Sequence, residues 1–202
     1  MTSSKYIIAV LAALLFASIA VCQEGERQRA YDGMWWLSQS SAEQFGFLNG
    51  LADCYIYEVK VKPRYKRSVQ EDQAFVTHFY RDPSQRKIPV FDVWTRALEE
   101  PSPVERTGGE HWDEPHGYFD MGWWVGGTEP EVSLNQKGFV EGFLWCYVHK
   151  VPNPRGTFSK SPEEYVRLIT NWYETTQNGD EKIADVLFRF RDRARPSGAR
   201  HK

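Results

Sequence analysis

Two histidines and four carboxylates crowd into one short stretch of the chain, Glu110-His111-Trp112-Asp113-Glu114-Pro115-His116-Gly117-Tyr118-Phe119-Asp120. Imidazole and carboxylate groups at this density suit two kinds of chemistry: ligation of a divalent metal, or general acid and base work on a hydrolysed bond. The spacing favours neither as the first reading. His111 and His116 stand five apart with Pro115 between them, so a regular helix cannot present them together. The HExxH pattern of helical zinc sites is absent, as are GxSxG, a phosphate-binding glycine loop and CxxC. The sequence therefore predicts no catalytic residue, no metal and no cofactor. It offers His111, Trp112, His116, Trp123 and Trp124 as binding residues on and beside a structured loop. The alternative is an envelope hydrolase or metal-dependent enzyme that uses His111, His116 and the nearby carboxylates.

The remaining reactive types read as structural. Cys54 and Cys146 are the cysteines left if Cys22 departs with a leader; they either pair as a disulfide or stay as two buried thiols. His78 and His149 each lie among apolar neighbours in helical pattern, the ordinary setting of a structural histidine. Trp35-Trp36 and Trp123-Trp124 admit two roles. They could pave a platform for sugar rings or a partner's side chains, or plug the end of a helical unit, which is the simpler role.

What must position these groups is a unit written twice. Gly46-Phe47-Leu48-Asn49-Gly50-Leu51-Ala52-Asp53-Cys54-Tyr55 recurs as Gly138-Phe139-Val140-Glu141-Gly142-Phe143-Leu144-Trp145-Cys146-Tyr147, with five of ten positions identical. The surroundings repeat in the same order: a Tyr/Asp and Trp-pair segment before each copy, Pro63-Arg64 and Pro154-Arg155 after, then Ser68 to Tyr80 against Ser161 to Tyr173. An ordered series of this kind marks an internal repeat.

Each unit is predicted to hold three helices. The first runs from about Ala42 to Glu58, opened by a capping box of Ser41 with Gln44, and its copy from about Asn135 to His149. The second follows Ser68-Val69-Gln70-Glu71 or Ser161-Pro162-Glu163-Glu164, both with Glu at the third helical position. The third follows Lys87 or Asp180, with Ile183, Val186, Leu187 and Phe190 on one face. An interior helical Gly costs about 1 kcal/mol against Ala. Gly46, Gly50 and Cys54, like Gly138, Gly142 and Cys146, fall at i, i+4, i+8, so each helix carries a stripe narrow enough for close backbone approach. Two equivalent helices crossing at a central pseudo-two-fold axis account for both stripes better than packing of each against its own unit.

The expected fold is all-α: a tandem duplication of a three-helix unit related by a pseudo-two-fold axis, with an irregular aromatic-rich connection. The expected divisions are a signal peptide at 1–22, a first unit at 23–98, a linker and His-rich insert at 99–117, a second unit at 118–194 and a disordered tail at 195–202.

A helix with an aromatic-glycine pattern and Cys, a Pro-containing loop, a Ser-x-x-Glu helix and a short helix ending in charge resembles the Tai group of small periplasmic immunity proteins. These protect bacteria from cell-wall amidases delivered by type VI secretion. The resemblance covers each three-helix unit and implies a helical, disulfide-containing, non-enzymatic and often dimeric protein. A tandem copy would then be a monomer containing its own pseudo-dimer. The chain departs from that group in having one Cys per unit, the Trp pairs and the His-rich insert.

Composition narrows the setting. Lys5 followed by the apolar run Ile7 to Val21 reads as a secretory leader, because 15 residues fall short of the roughly 20 needed to cross a bilayer. Cleavage after Ala20 or Cys22 would place the mature chain in the periplasm or outside the cell, with no membrane span remaining. An uncleaved anchor, or lipid on Cys22, is the rival. With 25 basic and 27 acidic residues, and no basic block beyond Lys60 to Arg67, nucleic acid is excluded as the expected partner. The function read from these features is an exported, non-enzymatic binding or inhibitory protein whose partner is an envelope protein or a cell-wall component.

Overall fold

The computed structural model describes residues 31–57, 59, 67–99, 119–126, 130–154, 156–176 and 178–192. The expected leader at 1–22, His111, Trp112, His116, most of the expected linker and the tail lie outside the described residues. Within them the protein is all-helical, with eight α-helices and no strand.

In chain order the helices are α1 (Gly33–Ser38), α2 (Ser41–Tyr57), α3 (Val69–Phe79), α4 (Val90–Glu99), α5 (Met121–Val125), α6 (Glu131–Lys150), α7 (Pro162–Thr176) and α8 (Ile183–Arg189). Six of these correspond to the predicted three-plus-three. The additions are α1 and α5, one short turn around each Trp pair. Asp32 and Asp120 start them, each carboxylate accepting from two backbone N–H groups of the first turn. Two boundaries also differ from expectation. The box opening α2 is Ser40 with Glu43, one residue earlier than Ser41 with Gln44: Ser40 N donates to Glu43 Oε2 and Glu43 N to Ser40 Oγ. Gln44 is instead spent on the carbonyl of Trp36. Helix α6 begins at Glu131, four residues ahead of Asn135, behind a Pro130 that supplies no side-chain cap. The boxes at Ser68 with Glu71 and Ser161 with Glu164 form as predicted.

The core is organised by the contact of α2 with α6, the most extensive between any two helices. The glycine stripes make it possible. A Cβ added at Gly46 or Gly50 would run into the carbonyl oxygen of Asn135 or Phe139, and one at Gly138 or Gly142 into that of Glu43 or Phe47. Residue numbers rise together along both helices in these contacts, so α2 and α6 run parallel. Around the pair, Phe47, Leu48, Leu51, Phe139, Val140 and Phe143 are fully buried.

The outer helices attach through hydrogen bonds that occur once in each half. Trp36 Nε1 donates to Thr77 Oγ1 at 3.0 Å, and Trp124 Nε1 to Thr170 Oγ1 at 2.9 Å. Gln44 Nε2 reaches the carbonyl of Trp36 at 2.8 Å, and Gln136 Nε2 that of Trp124 at 2.7 Å. The Tyr80 hydroxyl donates to the Ile88 carbonyl at 2.8 Å, and that of Tyr173 to the Glu181 carbonyl at 2.7 Å. Val90 N meets the Tyr31 carbonyl and Ile183 N the Phe119 carbonyl. Each bond satisfies a polar group that the packing would otherwise strand.

Of the two states open to the cysteines, the structure has the buried thiols and not the disulfide. Cys54 and Cys146 are both completely buried as thiols, and no bond joins them. Each continues the small-residue stripe of its helix, where a thiol serves as a compact apolar group.

Candidate binding site

The Trp pairs are scaffold. Trp36 and Trp124 have no exposed surface, and their indole N–H groups are spent on Thr77 and Thr170. Trp124 therefore cannot serve as a surface platform, contrary to its place among the expected binding residues. A ring at this position is needed to close the space between α5, α6 and α7. Trp123 is half-buried, with its ring 4.6 Å from Phe119 and 5.3 Å from Phe139; Trp35 sits likewise at 4.6 Å from both Tyr31 and Phe47. Beside these rings the exposed apolar side chains are Met34, Leu37 and Val125. Since α2 and α6 are parallel, both Trp pairs lie toward the N-terminal ends of that pair. Any contribution of His111, Trp112 and His116 at this end lies outside the described residues.

A second aromatic assembly occupies the C-terminal half of α6. Trp145 is half-buried, 5.4 Å from Phe91 of α4, and stacks on His149 at 4.8 Å with the planes 38° apart. Lys150 Nζ sits 4.2 Å over the Phe91 ring and 5.6 Å from Trp145. Phe91 in turn meets Tyr55 and Trp94. Val148, next to these rings, is 60% exposed. Burial, with the neighbouring Lys150 ammonium adding to it, lowers the His149 pKa and favours the neutral imidazole. The position that matches Trp145 in α2 is Asp53, and the one that matches Phe91 is Ala184. The face thus combines π-surface, a neutral imidazole and one ammonium, a composition fitted to holding a partner by stacking and apolar contact. In the sequence His149 reads as structural only; the structure places it exposed, at the rim of these rings. The available signal was the Asp53/Trp145 mismatch inside an otherwise matching ten-residue repeat.

Ionisable groups elsewhere are embedded in the packing. Lys137 Nζ approaches Glu43 Oε1 at 3.4 Å, Glu163 Oε1 at 3.7 Å and Glu141 Oε1 at 4.0 Å, tying α2, α6 and α7 together. Asp53 is 1% exposed, and neither carboxylate oxygen has a hydrogen-bond partner. Desolvation, then the nearby Asp185 carboxylate, hold its pKa well above the usual carboxylate range against a smaller opposing pull from Lys182. Among the described residues, no three His, Cys, Asp or Glu side chains are grouped to hold a metal. No described helix is long and apolar enough to cross a membrane.

Fold and site together describe, among the described residues, an all-helical scaffold with an aromatic face around Trp145 and Phe91, where the matching positions carry Asp53 and Ala184. Comparison with known proteins adds no relative: no family model matches the chain, and neither does any curated protein or solved structure.

Proposed function

We propose that the chain is an exported, non-enzymatic helical protein of the cell envelope that binds or inhibits a partner. In this reading it is built from two copies of one unit about a pseudo-two-fold axis and acts as a monomer. The duplication is supported by the ordered sequence repeat and by the hydrogen bonds that recur at matching positions in each half. Features common to both halves are accounted for by the scaffold, so a binding role is sought in what one half alone possesses.

The observation that carries the reading is the Trp145–His149–Phe91 face with exposed Val148 beside it. The inserted stretch Gly108 to Gly117, which has no counterpart before the first Trp pair, is the other single-copy feature. Export is supported by the short apolar run behind Lys5. A partner of the Tai-target kind, a cell-wall amidase, is one form the role could take.

The test is binding to purified wall sacculi and to solubilised envelope proteins. The double variant Val148→Glu, His149→Glu should lose at least about tenfold in affinity with unchanged melting. Replacement of His111, Trp112 and His116 by Ala should likewise spare helicity and reduce binding. Full binding by both variants would sink the proposal. Wall hydrolysis abolished by His116→Ala would establish the hydrolase instead, and an exported product retaining Met1 by mass would remove the cleaved leader.

A further inference from the structure

Asp72 is a charged residue in a place where the second half of the chain does without one. It lies on α3, 2% exposed, with Oδ2 accepting from Trp94 Nε1 of α4 at 3.2 Å. The other oxygen, Oδ1, is buried and has no hydrogen-bond partner. Arg67, 8% exposed just ahead of the α3 cap, places its guanidinium 4.8 Å over the Phe75 ring and acts on Asp72 electrostatically. At the matching positions of the second half stand Tyr165 and Leu187, both fully buried. At these two positions α7 packs on α8 without a carboxylate; the indole–carboxylate bond of the second half, Trp172 Nε1 to Glu181 Oε2 at 3.1 Å, lies elsewhere, just ahead of α8.

We propose that Asp72 makes the joint between α3 and α4 a proton-operated latch, which holds more firmly in acid because a buried charge with an unpartnered oxygen is removed there. An ionised carboxylate here leaves a charged oxygen buried without a hydrogen bond, a costly state in a low-dielectric interior. A proton removes that charge; Oδ2 still accepts from the Trp94 indole, through a weaker bond, and the Arg67 attraction is given up. Among the described residues, the charged groups acting on Asp72 are Arg67 and, on its own helix, Glu71. Burial is the strongest influence and lifts the carboxyl to about 6; the Trp94 hydrogen bond and Arg67 pull it down, and Glu71 pushes it up. The folded pKa stands above the ordinary 3.8, so folding favours the protonated form. Stability is gained as pH falls from about 6 towards the ordinary 3.8 and lost as it rises across the same window.

The indole N–H of Trp94 reports the latch directly. In the full exported chain, labelled with nitrogen-15, its resonance is assigned by its absence from Trp94→Phe. It should titrate with a midpoint of about 6. Asp72→Asn, which keeps the shape and an acceptor for the indole, should abolish the titration and flatten that part of the melting-temperature profile. Arg67→Gln should move the midpoint upward. An indole resonance that stays fixed from mildly acidic to mildly basic pH, or that titrates unchanged in Asp72→Asn, overturns the latch. So does a midpoint that stays put or falls in Arg67→Gln.

Discussion

Gly50 lies against the carbonyl oxygen of Phe139, with no room for a side chain between the two backbones. The reciprocal contact, Gly142 on Phe47, holds the same two helices together slightly further along. Apolar surface is closed over by backbone meeting backbone, and the glycines are what permit it.

Gly50→Leu and Gly142→Leu should each destabilise the fold severely, by at least the roughly 1–3 kcal/mol typical of overpacking. The gain in helix propensity is only about 1 kcal/mol. Chemical denaturation measures the balance. Two variants at or above wild-type stability would show that α2 and α6 do not approach as closely as described.

The paired indole bonds give a second measurement. Thr77→Val and Thr170→Val keep the shape of the side chain but leave the Trp36 or Trp124 N–H without its acceptor. Each should cost about 1–3 kcal/mol, the penalty for a stranded buried donor. Similar losses are expected from both, since the geometry is the same in each half. A near-zero effect in either would mean that the indole has found water.

Asp53 should make the protein more stable in acid than at neutral pH. Burial raises its folded pKa above the unfolded value, so ionisation opposes folding, and stability falls as pH climbs beyond the unfolded carboxylate range. Asp53→Asn should be more stable than wild type at neutral pH, by about 1 kcal/mol or more, and equal to it in acid. Urea denaturation at the two pH values decides; a neutral-pH loss in the variant would show that the charge is compensated.

Both cysteines should react as thiols once the chain is unfolded without reductant. A thiol reagent in denaturant should label both Cys54 and Cys146, and melting should be the same with and without dithiothreitol. A reductant-dependent drop in melting temperature would restore the disulfide.

The parts of this fold legible in the sequence are those set by local rules. Ser68 with Glu71 and Ser161 with Glu164 are satisfied within one turn, so pattern alone locates the starts of α3 and α7. The glycine stripes were readable for a different reason: four glycines in two helices demand a close neighbour. The short helices α1 and α5 were missed because so few residues carry no periodicity, although Asp32 and Asp120 stand where caps belong. Gln44 was misassigned because its partner, the Trp36 carbonyl, exists only after α1 has folded back. The Trp145 face was illegible for the same kind of reason, since Phe91 reaches it from the other half of the chain. Residues near in space and far in sequence announce themselves only through a mismatch such as Asp53 against Trp145.

The parallel run of α2 and α6 has a consequence for how the molecule comes into being. Phe47 and Gly142, which touch in the finished protein, are separated by nearly half of the chain, so the central contact closes only after α6 has been made. Contacts of such long loop closure form slowly. In the interval, the first half presents Gly46, Gly50 and their flanking Phe47 and Leu51 to whatever comes near. The most complementary surface available is the same stripe on another nascent copy. Folding of this chain is thus a competition between its own second half and its neighbours, and crowding of unfinished chains should steer it toward exchanged dimers.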